Sequence, residues 1–242
     1  MAAKFVLLVI GAYLIGSLPV AFWVAKFTRG IDLRQYGSGS VGATNLLRSS
    51  SWWIATPVGA FDLGKGMLMV WVAQLVGLNV AAQVTVGLAA ILGHNWSVFL
   101  RFSGGRGILT TLGVALILPA INSLVPWGIA AFLVIAAISS FGFHNVPLGI
   151  GAGIAALPVV SYGVSEPLPI TLGCLAMFAI MVIKRLAVRR AAIAASLSRR
   201  ELLINRLLFD RDIRDREAWI YHTRHKARSA EEQRDQKKGQ PQ

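Results

Sequence analysis

Outside its C-terminal tail, this 242-residue chain concentrates its polar chemistry in a few short stretches. The first runs Gly37-Ser38-Gly39-Ser40-Val41-Gly42-Ala43-Thr44-Asn45, with Arg48 just beyond. Gly37, Gly39 and Gly42 allow the backbone to turn its N–H groups toward an anion. Ser38, Thr44 and Asn45 add side-chain hydrogen bonds, and Arg48 adds a charge with bidentate geometry. This is the composition of a phosphate-binding loop; the plainer alternative is a flexible turn between two spans. The glycines also satisfy the spacing G-x-G-x-x-G, with Asp62 twenty residues after Gly42. A dinucleotide fold is rejected because that fingerprint needs a preceding strand in a βαβ unit, and here an apolar segment precedes it.

The second stretch is Phe61-Asp62-Leu63-Gly64-Lys65-Gly66, inside an otherwise apolar run. At a spacing of three, Asp62 and Lys65 share one face of a helix and can pair. Charges at membrane depth are costly and face the protein interior or a cavity. Two roles stay open: a self-neutralising pair that fixes helix packing, or Lys65 reaching an anionic substrate with Asp62 orienting it. Lys65-Gly66-Met67 is not a Walker A ending, which needs Ser or Thr after the lysine.

The third stretch extends from Gly93-His94-Asn95-Trp96-Ser97 to Ser103-Gly104-Gly105-Arg106-Gly107 and opens the next apolar run. A glycine-rich turn at a helix N-terminus favours an anion, because unpaired N–H groups and the helix dipole point there. Arg106 would neutralise that anion. His94 on its own reads more readily as a packed, hydrogen-bonded histidine, since no partner carboxylate is visible in sequence to build a triad. Cys174 is the single cysteine, which excludes an intrachain disulfide and a cysteine metal cluster.

The elements that must hold these stretches are apolar. Hydrophobic residues make up 55% of the chain and charged residues only 14%, with a mean hydropathy of +0.60. An ordinary soluble domain carries roughly 25% charge. The composition predicts an all-α, polytopic membrane protein of about seven helices. Apolar segments run near 5–25, 52–76, 80–100, 108–119, 126–143, 147–162 and 167–183. The first reads as an uncleaved span and not a secretory signal, and the short fourth is tilted, partly sunk, or stopped by Pro119.

Loops 26–51 and 101–107 and the tail carry the Lys and Arg, whereas those near 77–80, 120–125 and 163–166 carry none. Lys/Arg bias then places the N-terminus outside and the basic loops in the cytoplasm, in the cell (inner) membrane. Lys4 dissents mildly. Residues 1–186 form the membrane domain and 187–242 a basic tail. In the tail, Leu197, Leu203, Ile204, Leu207 and Leu208 recur at helical spacing among arginines, as in an amphipathic helix lying on the inner leaflet. Anionic lipid headgroups fit such a tail, and the apolar spans argue against nucleic acid. Beyond about Ala227 the composition predicts disorder.

With these motifs in this order, residues 5–186 resemble the bacterial acyl-phosphate-dependent glycerol-3-phosphate acyltransferases, the PlsY family. The resemblance rests on Gly37–Asn45 with Arg48, on Asp62–Gly66, and on His94 through Gly107. It implies a seven-span enzyme with an external N-terminus. The implied reaction moves a fatty acyl group from acyl phosphate to the 1-position of glycerol 3-phosphate, giving lysophosphatidate. No metal, cofactor or coenzyme A is implied. The implied partners are the two substrates and membrane lipids, with no protein partner assigned. Ser38, Arg48 and Arg106 are the expected catalytic residues. Gly37, Gly39, Gly42, Thr44, Asn45, Asp62, Lys65, His94, Gly104, Gly105 and Gly107 are the expected substrate- and phosphate-binding set. In this expectation Arg48 and Arg106 clamp phosphate, Ser38, Asn45 and Lys65 orient the substrates, and Gly104, Gly105 and Gly107 stabilise the leaving phosphate.

The chain departs from the family pattern at several places. The family has Lys at Arg106, Asn at Ser40, Pro at Ser97 and Lys at Ser103. Its third motif resembles His-x-x-Asn-Ile-Lys-Arg-Leu. Ile183-Lys184-Arg185-Leu186 fits the end of it, which puts Ala179 at the His position and Val182 at the Asn position. A second register on Ile204-Asn205-Arg206-Leu207-Leu208 puts Arg200 at the His position. Neither supplies the histidine, and nothing in the motif points to His222 or His225. The alternatives are therefore a catalytically impaired relative that binds an anionic lipid or acts in an assembly, or an acyltransferase with another acceptor.

Overall fold

An apolar run in lipid must satisfy its backbone polar groups within itself, so each such run becomes a helix. The computed structural model describes residues 2–188 and 191–219, and its described residues contain no strand. The helices are α1 Ala2–Ser17, α2 Val20–Arg29, α3 Ala43–Ser49, α4 Trp52–Leu75, α5 Val80–Asn95, α6 Ile108–Ile121, α7 Trp127–Phe141, α8 Val146–Gly163, α9 Leu168–Leu186 and α10 Arg199–Phe209. By length and composition, Ala2–Arg29, Val146–Gly163 and Leu168–Leu186 are long and apolar enough to cross a membrane. Large apolar side chains such as Leu7, Phe27, Trp53, Leu133 and Phe141 are exposed on the outside of the bundle, where lipid replaces water.

Helix pairs α1 with α5, α4 with α6, and α7 with α8 form the main contacts, and α9 closes the bundle against α5 and α8. Small residues permit the close approaches. A Cβ at Gly16 of α1 would run into the Ala90 backbone of α5, and one at Gly113 of α6 into the Leu63 carbonyl of α4. Val70, Ile91, Val114, Leu118, Phe132, Ile154, Leu157 and Met177 fill the centre.

Three boundaries differ from the sequence expectation. The segment expected as one span over 5–25 breaks at Leu18-Pro19 into α1 and α2. Proline has no N–H to continue the ladder. The segment expected over 80–100 ends at Asn95, and a 3-10 turn covers Val98–Leu100. Pro119 does not stop α6, which runs on to Ile121.

The tail helix forms over Arg199–Phe209, with a Ser198–Glu201 capping box, and makes contacts with the bundle that its spacing does not encode. It packs on α8 and α9. Arg206 donates to Asp212 Oδ1 at 2.6 Å and to the Leu186 carbonyl at 2.7 Å, and Asp212 Oδ2 accepts from the Ala191 N–H at 2.7 Å. Arg185 of α9 donates in return to the Leu207 and Pro147 carbonyls. These buried ties cross the expected boundary at residue 187. Leu203, Ile204, Leu207 and Leu208 remain exposed as an apolar stripe. His222, His225 and the stretch after Ala227 lie outside the described residues.

Candidate active site

The site is built on the facing sides of α4 and α5. Asp62 and Lys65, one turn apart on α4, pair at 2.8 Å and are both nearly fully buried. Across the helix interface, Lys65 Nζ lies 2.8 Å from His94 Nδ1, and His94 Nδ1 lies 3.4 Å from Asp62 Oδ1. The carboxylate that the sequence does not associate with His94 is thus Asp62. The lysine can only donate, so Nδ1 accepts and the ring proton sits on Nε2. The ring presents Nε2 to the glycine loop: a Cβ at Gly105 would strike it and the Val41 carbonyl oxygen. Only glycine allows this approach.

The loop is moulded on the end of α5. The Gly105 N–H donates to the His94 carbonyl at 3.0 Å. Gly107 has φ +68°, a conformation that glycine adopts without strain, and caps the N-terminus of α6. Thr110, in the first turn of α6, donates to the Asp62 carbonyl at 2.9 Å, which ties loop, α6 and α4 together. From α9, Lys184 donates to the Asn95 carbonyl and lies 4.9 Å over the Trp96 ring. Ser97 donates to the Ser17 carbonyl at 2.5 Å, which joins the turn after α5 to the α1–α2 break. A small cavity at that break is lined by Ser17, Pro19, Val41, Asp62, His94 and Gly105 among others. Two side chains beside the loop are buried with no hydrogen-bond partner among the described residues: the Asn95 amide, at both its atoms, and the Ser17 hydroxyl. Buried polar atoms are normally paired.

The first loop is positioned from within. Asn45 is 1% exposed. Its oxygen accepts from the Ser38 N–H at 3.1 Å, and its amide donates to the carbonyls of Leu33, Tyr36 and Ser40 at 3.1, 2.9 and 3.0 Å. Asn45 therefore shapes the loop and does not orient substrate as expected. Asn side chains commonly take local backbone in this way. Gly37 and Gly39 have φ +58° and +68°, whereas Gly42 is extended at φ −155° and demands no glycine. Thr44 is exposed at the start of α3 and Ser38 is half-buried. Arg48 ends α3. Desolvation first, then the charges of Arg106 and Arg216, hold its pKa below the ordinary arginine value. The cations of the first and third stretches therefore share one field.

Other expectations need correction. Lys65 is turned inward, with Asp62 and His94 as its near partners, as in the packing alternative for this pair. Arg106 is not free either. Its Nε lies 2.6 Å from both carboxylate oxygens of Asp210, and its Nη2 donates to the Asp210 carbonyl at 3.2 Å. Neither register of the third motif faces the site from its His position, because Ala179 and Arg200 are both exposed. Lys184, Arg185 and Asn95, which the motifs contain but to which sequence reasoning gave no role, are neighbours of the site, and so is Asp210, which it missed. Arg185 could be suspected from its place in the third motif, but nothing local marks Asp210.

The comparisons with known proteins agree with this architecture. Residues 6–195 match the family model described as glycerol-3-phosphate acyltransferase. "Glycerol-3-phosphate acyltransferase 4" of Dehalococcoides mccartyi (strain CBDB1) is 39% identical over 227 residues, covering 91% of this chain and 94% of its own length. A glycerol-3-phosphate acyltransferase of Thermus thermophilus is 42% identical over 159 residues, covering 65% of this chain and 75% of its own. The crystal structure of PlsY in its glycerol 3-phosphate form is similar with a TM-score of 0.65 at 26% identity, covering 81% of this chain and all of that one. The lysophosphatidic acid form gives 0.66 at 25% identity, covering 90% of this chain and 99% of that one. The chain is an all-helical integral-membrane acyltransferase and belongs to the glycerol-3-phosphate acyltransferase family.

Proposed function

We propose that the chain transfers a fatty acyl group from acyl phosphate to the 1-hydroxyl of glycerol 3-phosphate, giving lysophosphatidate, at a site facing the cytoplasm. The observation that carries this is the glycine loop Gly104–Gly107 seated on His94, with Arg106 within the loop. In support, the similar PlsY structures are described as glycerol 3-phosphate and lysophosphatidic acid forms. Seven spans with an external N-terminus, as the loop charges suggest, complete the proposed topology.

Acyl phosphate is a mixed anhydride with a good leaving group, so positioning and charge neutralisation carry much of the catalysis. The acceptor hydroxyl oxygen forms the new bond to the acyl carbon. The bond from that carbon to the bridging oxygen breaks, and inorganic phosphate leaves with the hydroxyl proton. Arg48 and Arg106 hold phosphate oxygens, and Ser38 hydrogen-bonds to them. The N–H groups at the N-terminus of α6 stabilise charge on the leaving phosphate. His94, with Nδ1 held by Lys65 and Lys65 in turn paired with Asp62, offers its Nε2–H to an oxygen over the loop. The unpartnered Asn95 amide is a further donor to the same place.

The test is phosphate release by the purified protein in liposomes from a long-chain acyl phosphate, with and without glycerol 3-phosphate. Release that depends on the acceptor, with stoichiometric lysophosphatidate, is the expected result. Folded protein that releases nothing, or releases phosphate without consuming glycerol 3-phosphate, would overturn the assignment.

A further inference from the structure

Arg106 is held by a carboxylate from more than a hundred residues away, |i−j| being 104. Asp210 is the C-cap of α10, with φ +55° and ψ +37°, and its N–H bonds back to the Arg206 carbonyl. Its two carboxylate oxygens meet the Arg106 Nε at 2.6 Å, and its carbonyl takes the Arg106 Nη2. On the other side, Arg185 Nε of α9 stands 3.9 Å from Asp210 Oδ1 and is buried with no hydrogen-bond partner. The carboxylate thus sits between two guanidinium groups, hydrogen-bonded to the Nε of Arg106 and beyond hydrogen-bond reach of Arg185, and arginine donors of this kind also bind phosphate. The Arg106–Asp210 pair is partly open, with both side chains 19% exposed. Asp210 lies beyond the residues matched by the family model, which end at 195.

We propose that Asp210 is a tethered competitor for the substrate phosphate and thereby sets the affinity of the site for its phosphorylated acceptor. This rests on the assignment of Arg106 to phosphate. In the free enzyme Asp210 neutralises Arg106. A phosphate monoester that takes Arg106 through the edge bearing Nε must displace the carboxylate, because Asp210 occupies that nitrogen with both its oxygens. The bound phosphate then gains the Arg106 Nε that Asp210 releases, and the vacant Arg185 Nε lies beside it. A site closed by its own side chain binds more weakly in proportion to the fraction of time it is open.

The full chain in liposomes tests this through Asp210→Asn and Asp210→Gly. Asparagine and glycine both accept the left-handed conformation at a helix C-cap, so α10 keeps its end in either variant. Calorimetric titration with glycerol 3-phosphate gives Kd, and turnover gives KM and kcat separately. Both variants should bind about five- to tenfold more tightly than wild type, with KM falling in parallel, as for a site open only a tenth to a fifth of the time. A Kd that is unchanged or weaker in both variants, or a fall in kcat with KM unimproved, would overturn the proposal and make Asp210 a support for Arg106. Arg106→Ala run alongside separates the two levels. If it weakens binding while the Asp210 variants do nothing, the competitor is wrong and the phosphate assignment stands. If it leaves Kd and KM unchanged, the phosphate assignment itself falls.

Discussion

Asp62, Lys65 and His94 form a closed set in which the lysine is spent on holding the histidine. Removing one member of a buried ion pair leaves an uncompensated charge and costs about 3–5 kcal/mol. Lys65→Met should therefore lower stability by about 3 kcal/mol or more. The double variant Asp62→Asn/Lys65→Met should cost clearly less than the sum of the two single changes. Unfolding in detergent measures this, and additive costs would contradict the coupling. Turnover should fall in both variants that lack Lys65, since each releases His94 Nδ1. At this scale the sequence is half legible. The i, i+3 spacing of Asp62 and Lys65 predicts their pair, which is local. The histidine joins them across a helix interface, 29 residues from Lys65, and no periodicity encodes that. Asn45 and Lys65 have the right residue types for binding, but the fold spends both on internal partners.

The helices follow from hydrophobic runs, and their ends follow from local chemistry. Pro19 breaks the first segment and marks where the cavity beside His94 opens. Pro119 has less effect because it sits in the last turn of α6, where the helix has little further to run. The tail helix is legible from its leucine spacing and its Ser198–Glu201 cap. Its docking is not, because it depends on Arg206 and Asp212 meeting under α9. That pair is buried, at 6% and 2% exposure, so it fixes the tail against the bundle. Asp212→Ala should detach the tail, at a cost of about 3–5 kcal/mol. Limited trypsin digestion should then cut at Arg211 and Arg214 at least tenfold faster than in wild type. An unchanged cleavage rate would show that the ion pair does not hold α10. Detachment would also withdraw Asp210 from Arg106, so the two tail predictions are linked.

For the whole molecule, uneven charge among short loops supports one orientation, with the first and third stretches on the same face as the tail. With Cys174 replaced by Ser, a cysteine placed at Ser123 should react with a membrane-impermeant maleimide added to intact cells. One placed at Ser49 should react only after the membrane is opened. The reverse pattern would invert the proposed topology. The whole-molecule view also explains how separated stretches meet: α4, α5 and the start of α6 bring the Asp62 and Lys65 side chains, His94 and the glycine loop together, and Arg48 on α3 feels the charge of Arg106. The central claim is that this glycine loop with Arg106 is where phosphate is held during acyl transfer. Lysophosphatidate formation from acyl phosphate and glycerol 3-phosphate, compared between wild type and Arg106→Ala in the same liposomes, tests it most directly. The account predicts efficient acceptor-dependent turnover by wild type and a loss of about 100-fold or more in the variant. Equal turnover by the two, from protein shown to be folded, would contradict it.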